Sequence, residues 1–303
     1  MSTVVVSGLI NVETTLRVEG FPIHYSPVRY PFGGVNSTVS GVGYNITKAL
    51  RTLGDEVRCV SIIGEDWLGQ LVLDVLEMEG LSSKFIRRQM DETAQSVILY
   101  DGDGRRQINV DLKQVQEQVY PLERFEVALE GADLAVLSNI NFSRPWLDLV
   151  KARRIPIATD VHAISSLDDD YNRAFMAAAD ILFMSNDFLP VAPEEWARQV
   201  LERYSPQVVV IGLGAEGALL AVRGDGEVER VPPVRTREII NTVGAGDALF
   251  SAFVHFYIQT FNPYISLQKA MVFASYKIGE RGAAEGFLTE DELDAWYEEL
   301  RFT

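Results

Sequence analysis

Residues 239–250 of the chain are Ile-Ile-Asn-Thr-Val-Gly-Ala-Gly-Asp-Ala-Leu-Phe. Two β-branched residues lead into a loop of small residues, and the loop opens a segment with helical periodicity. Gly244, Ala245 and Gly246 carry almost no side chain, so their backbone N–H groups can approach an anion closely, and the positive end of the helix adds to the attraction. Asp247 begins the helix, where a carboxylate suits removal of a proton from a hydroxyl that attacks phosphorus. The alternative is that Asp247 only caps the helix.

Short apolar runs alternate with helical segments before this loop. The strand candidates are 4–10, 57–63, 134–138, 156–160, 181–185 and 208–213. The helix candidates are about 41–53, 67–79, 143–153, 171–179 and 194–204, and, in and after the loop, 247–260, 266–279 and 290–300. Nearly continuous hydrophobicity within the runs indicates parallel strands that are covered on both faces. The alternation predicts βαβ units around a parallel sheet.

Two segments break this rhythm, one at about 12–39 and one at about 92–113. The first alternates polar and apolar residues between prolines and glycines, and the second places Asp101-Gly-Asp-Gly between two alternating runs. The Asp-Gly residues predict a hairpin in the second segment. We interpret both segments as strands of a small accessory sheet over one edge of the main domain. The alternative is that they extend the central sheet.

The composition is that of an ordinary soluble globular protein. The chain has 303 residues, of which 47% are hydrophobic and 23% charged. Its 43 acidic residues outnumber its 27 basic residues, which gives a net charge of -16. Binding to a phosphate backbone needs a surplus of Lys and Arg, so this balance argues against a nucleic-acid partner.

The single cysteine, Cys59, excludes an internal disulfide and any multi-cysteine metal site. It lies in an apolar stretch, which favours a buried structural thiol. No apolar run approaches the ~20 residues needed to span a bilayer. The N-terminus enters a strand-like Val4-Val5-Val6 without a basic region, which predicts no signal peptide, no membrane association and a cytoplasmic location.

Five motifs together resemble one family. Asn-Thr-Val-Gly-Ala-Gly-Asp at 241–247 resembles the C-terminal signature of the ribokinase-like (PfkB) carbohydrate kinases, usually written D-T-x-G-A-G-D. Ser-Gly-Val-Gly-Tyr-Asn at 40–45 is similar to the family's G-G-x-G-x-N, and 64–69 to its G-x-D-x-x-G. Residues 8–13 match the opening G-x-x-x-x-D with Glu in place of Asp, and 213–217 match L-G-x-x-G. The motifs fall in family order and cover nearly the whole chain.

The resemblance implies a single three-layer α/β/α domain over 1–303, with a mostly parallel central sheet and a small β-sheet lid. It also implies a kinase that uses ATP and Mg²⁺. Asp247 would be the base, and the backbone of Gly244, Ala245 and Gly246 would stabilise charge on the transferring phosphoryl group. The residues implied to contact the acceptor are Glu13, Asn11, Gly41 and Asn45.

The resemblance also implies a nucleotide site and a lid-mediated homodimer. The residues implied to line the nucleotide are Asn186, Gly214, Gly217 and Thr242. In the family's N-x-x-E element, which holds magnesium through water, this chain keeps Asn186 but has Leu189 at the Glu position, and Asp187 is the candidate substitute. Asn241 replaces the first Asp of the signature, which lies near a monovalent cation in the family, and this puts potassium activation in doubt. Glu13 is one methylene longer than the usual Asp.

The primary hypothesis is phosphoryl transfer from ATP to a hydroxyl of a sugar or a nucleoside, including pseudouridine. Leu189 and Asn241 motivate the alternative, a sugar- or nucleoside-binding regulator that lost catalysis. The lid aromatics could stack on a nucleobase, pack the lid or form a dimer contact; they are Phe21, Tyr25, Tyr30 and Phe32. Arg105 and Arg106 could reach an anionic substrate group or form an exposed hairpin tip. His162 has no metal-ligand spacing, which favours a structural or surface role.

Overall fold

The computed structural model describes residues 1–301 and forms one large and one small β-sheet with helices around the large one. The strands are β1 (Thr3–Ser7), β2 (Asn11–Arg17), β3 (Val35–Ser40), β4 (Glu56–Gly64), β5 (Ile86–Met90), β6 (Gln95–Tyr100), β7 (Arg106–Asp111), β8 (Leu134–Leu137), β9 (Ile157–Asp160), β10 (Ile181–Ser185), β11 (Val208–Gly212), β12 (Ala218–Val222) and β13 (Val228–Val231). The α-helices are α1 (Val42–Thr52), α2 (Trp67–Met78), α3 (Leu122–Leu129), α4 (Trp146–Ala152), α5 (Arg173–Ala178), α6 (Pro193–Tyr204), α7 (Ala245–Thr260), α8 (Pro263–Lys277) and α9 (Glu290–Arg301).

The large sheet has nine strands within residues 1–301, in the order β13-β12-β11-β10-β9-β8-β1-β4-β5. Neighbouring strands are parallel from β5 to β11, and β12 and β13 add an antiparallel edge. Helices α3 to α6 bury apolar side chains against one face, and α1, α7, α8 and α9 cover the other. The predicted three-layer α/β/α fold is therefore confirmed.

The small sheet, called the lid sheet below, has the order β3-β2-β6-β7. β2 pairs with β6 in parallel, whereas the β2–β3 and β6–β7 pairs are antiparallel. The predicted hairpin turns at Asp101, whose carbonyl accepts a hydrogen bond from the N–H of Gly104 at 3.3 Å. The lid sheet is separate from the large sheet, so the alternative in which its strands extend the central sheet is wrong.

The first strand ends at Ser7, although the apolar run predicted a strand to residue 10. A Cβ on Gly8 would lie 2.8 Å from the Cα of Gly43, so the backbone after β1 passes directly against the start of α1. This close approach needs the missing side chain of Gly8 and diverts the chain into the lid sheet, where β2 begins at Asn11. The motif residues at 8–13 and 40–45 are brought together as a result.

Polar residues gather where the parallel strands end. Ser138 follows β8, Asp160 ends β9, Asn186 follows β10 and Gly214 lies two residues beyond β11. The carboxyl ends of parallel strands meet at one edge of a sheet, which is where ligands bind in open α/β folds. Two of the predicted site residues, Asn186 and Gly214, therefore lie at this edge of the large sheet.

Cys59 is buried, as predicted, and burial raises the pKa of its thiol to about 11. No helix among residues 1–301 has the length and the apolar character that a membrane crossing requires.

Candidate active site

The predicted base, Asp247, is hydrogen-bonded to Asn45, which was predicted to contact the acceptor substrate. Asp247 lies in the first turn of α7, and the amide Nδ2 of Asn45 on α1 donates to its Oδ2 at 2.6 Å. The N-cap of α7 is Gly244, not Asp247. The alternative in which Asp247 serves only as a helix cap is therefore wrong, since its carboxylate is engaged by a different helix.

Ser40 extends this contact towards Glu13. Its hydroxyl lies 3.1 Å from Oε2 of Glu13 and 3.3 Å from Oδ1 of Asn45, close enough to donate to either. Glu13, Ser40, Asn45 and Asp247 thus form one continuous polar chain between the lid sheet and α7. Sequence reasoning missed Ser40, which the motif at 40–45 placed beside Gly41 without a role.

Two buried oxygens on β2 have no hydrogen-bond partner within residues 1–301. They are Oε1 of Glu13 and Oδ1 of Asn11, whose amide nitrogen donates to Ser96 Oγ at 2.9 Å. Both side chains lie on the same face of β2, because successive strand residues alternate between faces. Buried polar atoms are ordinarily bonded, and hydroxyl groups of a ligand are the donors that two such acceptors would take. Gly41, the N-cap of α1, lies beside Asn11.

The two carboxyl groups of this polar chain have raised pKa values. Burial raises the pKa of Glu13, with the Ser40 hydrogen bond opposing and the charge of Asp247 adding to the rise. Burial also raises the pKa of Asp247, against the hydrogen bond from Asn45. A carboxyl group whose pKa lies nearer neutrality is a better proton acceptor, which suits a general base.

His162 is not as isolated as the sequence suggested. Its Nδ1 lies 3.6 Å from Oδ2 of Asp160, at the end of β9. The charge of a protonated His162 lowers the pKa of Asp247 and the carboxylate of Asp160 raises it, so both charges act on the candidate base. The sequence carried no signal for this proximity beyond the position of Asp160 at a strand end.

The glycine loop before α7 is held by its neighbours. Gly244 adopts φ of 78°, and a Cβ there would lie 2.3 Å from the carbonyl oxygen of Ala283. The side chain of Asn241 accepts from the N–H of Val243 at 3.0 Å and donates to the carbonyl of Arg281 at 2.8 Å. The loop is therefore fixed against the segment that follows α8.

Lys277, the last residue of α8, is a site residue that sequence reasoning missed. Its side chain is completely buried, and its ammonium donates to the carbonyl oxygen of Val243. Burial lowers the pKa of Lys277 to about 8, while the charges of Asp247 and Glu13 oppose this. In the sequence, Lys277 looks like an ordinary polar residue near a helix end, so nothing distinguished it.

Arg106 connects the lid sheet with the glycine loop. Its Nη1 donates to the carbonyl oxygen of Thr242 at 2.9 Å and to its hydroxyl oxygen at 3.2 Å. Arg105 instead pairs with Asp101 inside the lid hairpin, at 2.8 Å. Of the two arginines, Arg106 is the one that reaches the loop predicted to bind an anion.

Three of the four predicted nucleotide residues lie at the same edge of the large sheet, and the fourth, Thr242, lies in the loop before α7. Asn186 follows β10, and its N–H donates to the carbonyl of Gly212 at 3.0 Å. Gly214 has φ of 60° and open space where a side chain would project. The structure also requires a glycine at position 217, because a Cβ there would lie 2.2 Å from the carbonyl oxygen of Val231.

Residues 1–301 contain no cluster of three or more His, Cys, Asp or Glu side chains that could hold a metal ion. Magnesium usually binds through one or two carboxylates together with waters and substrate phosphates, so a protein cage is not required. Asp187 is exposed after β10 and accepts from Ser185 Oγ at 2.9 Å, which fits this kind of binding. Leu189 packs against the apolar core instead.

Three of the lid aromatics are almost fully exposed in the segment between β2 and β3. They are Tyr25 (92%), Tyr30 (76%) and Phe32 (94%), and the rings of Tyr30 and Phe32 stack with centroids 6.2 Å apart. For these three residues the alternative of packing the lid is wrong. Nucleobase stacking and a dimer contact stay predictions.

A model of the pfkB family of carbohydrate kinases matches residues 1–290. The chain belongs to this family, and so to the phosphotransferases that use an alcohol group as acceptor. A 1-phosphofructokinase of Haloferax volcanii is 29% identical over 258 residues, 81% of each chain. A deoxyribokinase of Salmonella typhi is 30% identical over 279 residues, 84% of this chain and 86% of the relative. The solved structure of a microbiome-derived acarbose kinase has a TM-score of 0.87 at 23% identity, covering 98% of this chain and 99% of that one.

Proposed function

We propose that the chain transfers the γ-phosphoryl group of ATP to a hydroxyl group of a sugar or nucleoside, with Asp247 as the general base. The observation that carries this proposal is the polar chain from Glu13 to Asp247. It places a carboxylate of raised pKa beside a glycine loop at a helix N-terminus. Such an arrangement serves a reaction in which a hydroxyl loses a proton while negative charge develops nearby.

Each group of the site has a part in this reaction. Asp247 takes the proton of the acceptor hydroxyl as its oxygen bonds to the γ-phosphorus, and the bond from that phosphorus to ADP breaks. Asn45 holds the carboxylate in place. The backbone N–H groups of Gly244, Ala245 and Gly246 donate to oxygens of the transferring group. Asp187 would help to hold magnesium through water, and the ion would supply neutralisation of phosphate charge.

The acceptor is expected to be rich in hydroxyl groups. Oε1 of Glu13 and Oδ1 of Asn11 are buried acceptors that need donors, and the hydroxyls of a furanose supply donors of this kind. Ile108 and Val110 lie on the same face of the lid sheet as Glu13. Val110 and Glu13 both pair with Ser96, which puts their side chains on one face. Ile108 is two residues from Val110 on β7, so its side chain lies on that face too. Their half-exposed side chains offer an apolar surface to the carbon skeleton of a sugar or to a base.

The proposal is tested by a coupled assay of ADP release with ATP and magnesium across a panel of sugars and nucleosides. We expect one acceptor class to be turned over. Relatives named as a deoxyribokinase and a 1-phosphofructokinase make free and phosphorylated sugars the first members to include, with ribonucleosides and pseudouridine beside them. Silence across the panel, with thermal stabilisation by an acceptor, would favour the regulator that lost catalysis.

Glu13→Gln is expected to raise the KM for the acceptor by about tenfold or more. A hydrogen bond to a charged group contributes about 1.5–3 kcal/mol, and the variant loses that charge while keeping its shape. The KM for ATP is expected to stay unchanged. Glu19→Gln makes the same change at an exposed position of the same segment and is expected to leave both constants unchanged. An equal rise in both KM values for Glu13→Gln would contradict the assignment.

A homodimer formed through the lid and a cytoplasmic location stay predictions from the sequence.

A further inference from the structure

Lys277 is a fully buried lysine to which the proposed reaction assigns no step. Taking an ammonium out of water costs several kcal/mol unless opposite charges and hydrogen bonds compensate. Here the ammonium lies behind the glycine loop and donates to the carbonyl oxygen of Val243. Because its contact is with the glycine loop, the energetic cost of burying this charge points to a role for Lys277 in that loop.

The charged groups that act on the pKa of Lys277 come from four parts of the chain. The carboxylates of Asp247 on α7, Glu13 on β2 and Glu285 after α8 favour the charged form, and Arg106 on β7 opposes it. Burial outweighs the carboxylates and lowers the pKa of Lys277 to about 8. At neutral pH the group is therefore an ammonium that balances carboxylates of the candidate site.

Two carbonyl oxygens beside the glycine loop already receive donors from the chain. The carbonyl of Val243 accepts from Lys277, and that of Arg281 accepts from the amide of Asn241 at 2.8 Å. The family resemblance places a monovalent cation beside position 241, and such an ion needs several oxygen ligands at once. The N–H groups of Asn241 and Lys277 point at these oxygens instead and repel a cation, so the residues present do not fit potassium.

We propose that the ammonium of Lys277 is the built-in cation of this site and takes the place of a bound potassium ion. By holding the Val243 carbonyl on the inner side of the loop, it leaves the N–H groups that follow free to face the phosphoryl group. Lys277 is a positioning residue, because it acts through the loop. Its kinetic consequence rests on the proposed kinase function, whereas its effect on cation binding does not.

Thermal melting tests the proposal without turnover. Lys277→Ala leaves a cavity beside carboxylates, so its melting temperature is expected to rise in ammonium or potassium chloride relative to choline chloride at equal ionic strength. The wild type is expected to melt at the same temperature in all three salts. Lys269→Ala, on the same helix, removes a partly buried lysine that pairs with Asp294 on α9, and it should show no such rise. A rise specific to potassium in the wild type would overturn the proposal.

Turnover supplies a second measurement with any acceptor that the panel identifies. The wild-type kcat is expected to change by less than about twofold with potassium, whereas Lys277→Ala loses about 10²-fold, as for removal of an oxyanion donor, and regains part of it with ammonium chloride. Lys277→Gln keeps a neutral donor and serves if the alanine variant fails to fold; it is expected to fold and remain slow. Retention of the wild-type kcat by either variant would overturn the proposal. If the wild type turns over no acceptor, the proposed function fails while the melts still decide the role of Lys277.

The pH dependence distinguishes the charge from the shape of Lys277. Above its pKa of about 8 the ammonium loses its proton, so the wild-type kcat is expected to fall on the alkaline side. Lys277→Gln has no proton to lose there and is expected to lack this decline. A purely structural role would leave the alkaline profile of the variant the same as that of the wild type, which would count against the proposal.

Discussion

Asp247→Asn is expected to lower kcat by 10²–10⁴-fold, roughly the contribution of a general base. Asparagine has the same shape and can accept the hydrogen bond from Asn45 through its Oδ1, so the polar chain to Glu13 is preserved. What is lost is the ability to take a proton from the acceptor hydroxyl. The measurement is kcat at saturating ATP and acceptor, beside a thermal melt of the same preparation.

The stability of the Asp247→Asn variant is a second measurable consequence of the buried charge. Burial raises the pKa of Asp247, so its ionised form destabilises the folded protein at pH values above that pKa. Removing the charge is therefore expected to leave the melting temperature at neutral pH unchanged or higher. In the wild type, kcat is expected to fall as the pH drops through the raised pKa, because the protonated carboxyl cannot act as a base.

Asp148→Asn is the matched control, since Asp148 is an exposed acidic residue in the first turn of α4. It makes the same change at the start of a helix on the opposite face of the large sheet from α7 and is expected to leave kcat unchanged. If Asp247→Asn kept more than about a tenth of the wild-type kcat, the assignment of Asp247 as base would be wrong.

The strands that were predicted from the sequence are those at the centre of the large sheet. Residues 181–185 were predicted as a strand and are β10 with the same bounds, because a parallel strand covered on both faces is apolar throughout. β5, β12 and β13 were missed. β12 is apolar, but its run is short and follows β11 closely. The sequences of β5 and β13, Ile-Arg-Arg-Gln-Met and Val-Glu-Arg-Val, are largely polar, since each lies at an edge of the sheet. Pairing with a neighbouring strand, and not a local pattern, makes these segments strands.

The residues of the candidate site also form two groups, those that the sequence identified and those that only the fold reveals. Gly244, Asp247 and Asn45 stand in motifs whose spacing is local, so the sequence identified them before any contact was known. Lys277 and Ser40 depend on how distant segments pack: Lys277 meets Val243 across 34 positions, and Ser40 meets Glu13 across 27. The sequence predicts which loops carry the chemistry, but the partners that tune those loops follow from the fold.

Gly244→Ala is expected to lower both the stability and the activity of the protein, and Gly246→Ala provides the control. At φ of 78° an alanine is strained by about 1–2 kcal/mol, and its Cβ would lie 2.3 Å from the carbonyl oxygen of Ala283, so the backbone has to move. We expect the free energy of unfolding to fall by at least about 2 kcal/mol.

The displacement of the Gly244 loop also moves its N–H groups, which are the proposed donors to the phosphoryl group. A loss of one such donor elsewhere costs about 10²–10³-fold in kcat, and a comparable fall is expected here. Gly246→Ala separates the two effects, because Gly246 lies in the first turn of α7 with no atom within 4 Å of an added Cβ. Its stability is expected to stay the same or to rise by up to about 1 kcal/mol, the helix preference of Ala over Gly. The measurement is the free energy of unfolding of both variants in urea. Equal destabilisation of the two variants would mean that the loop is not held against Ala283. Destabilisation confined to Gly244→Ala would show that the glycine loop is held by the segment after α8.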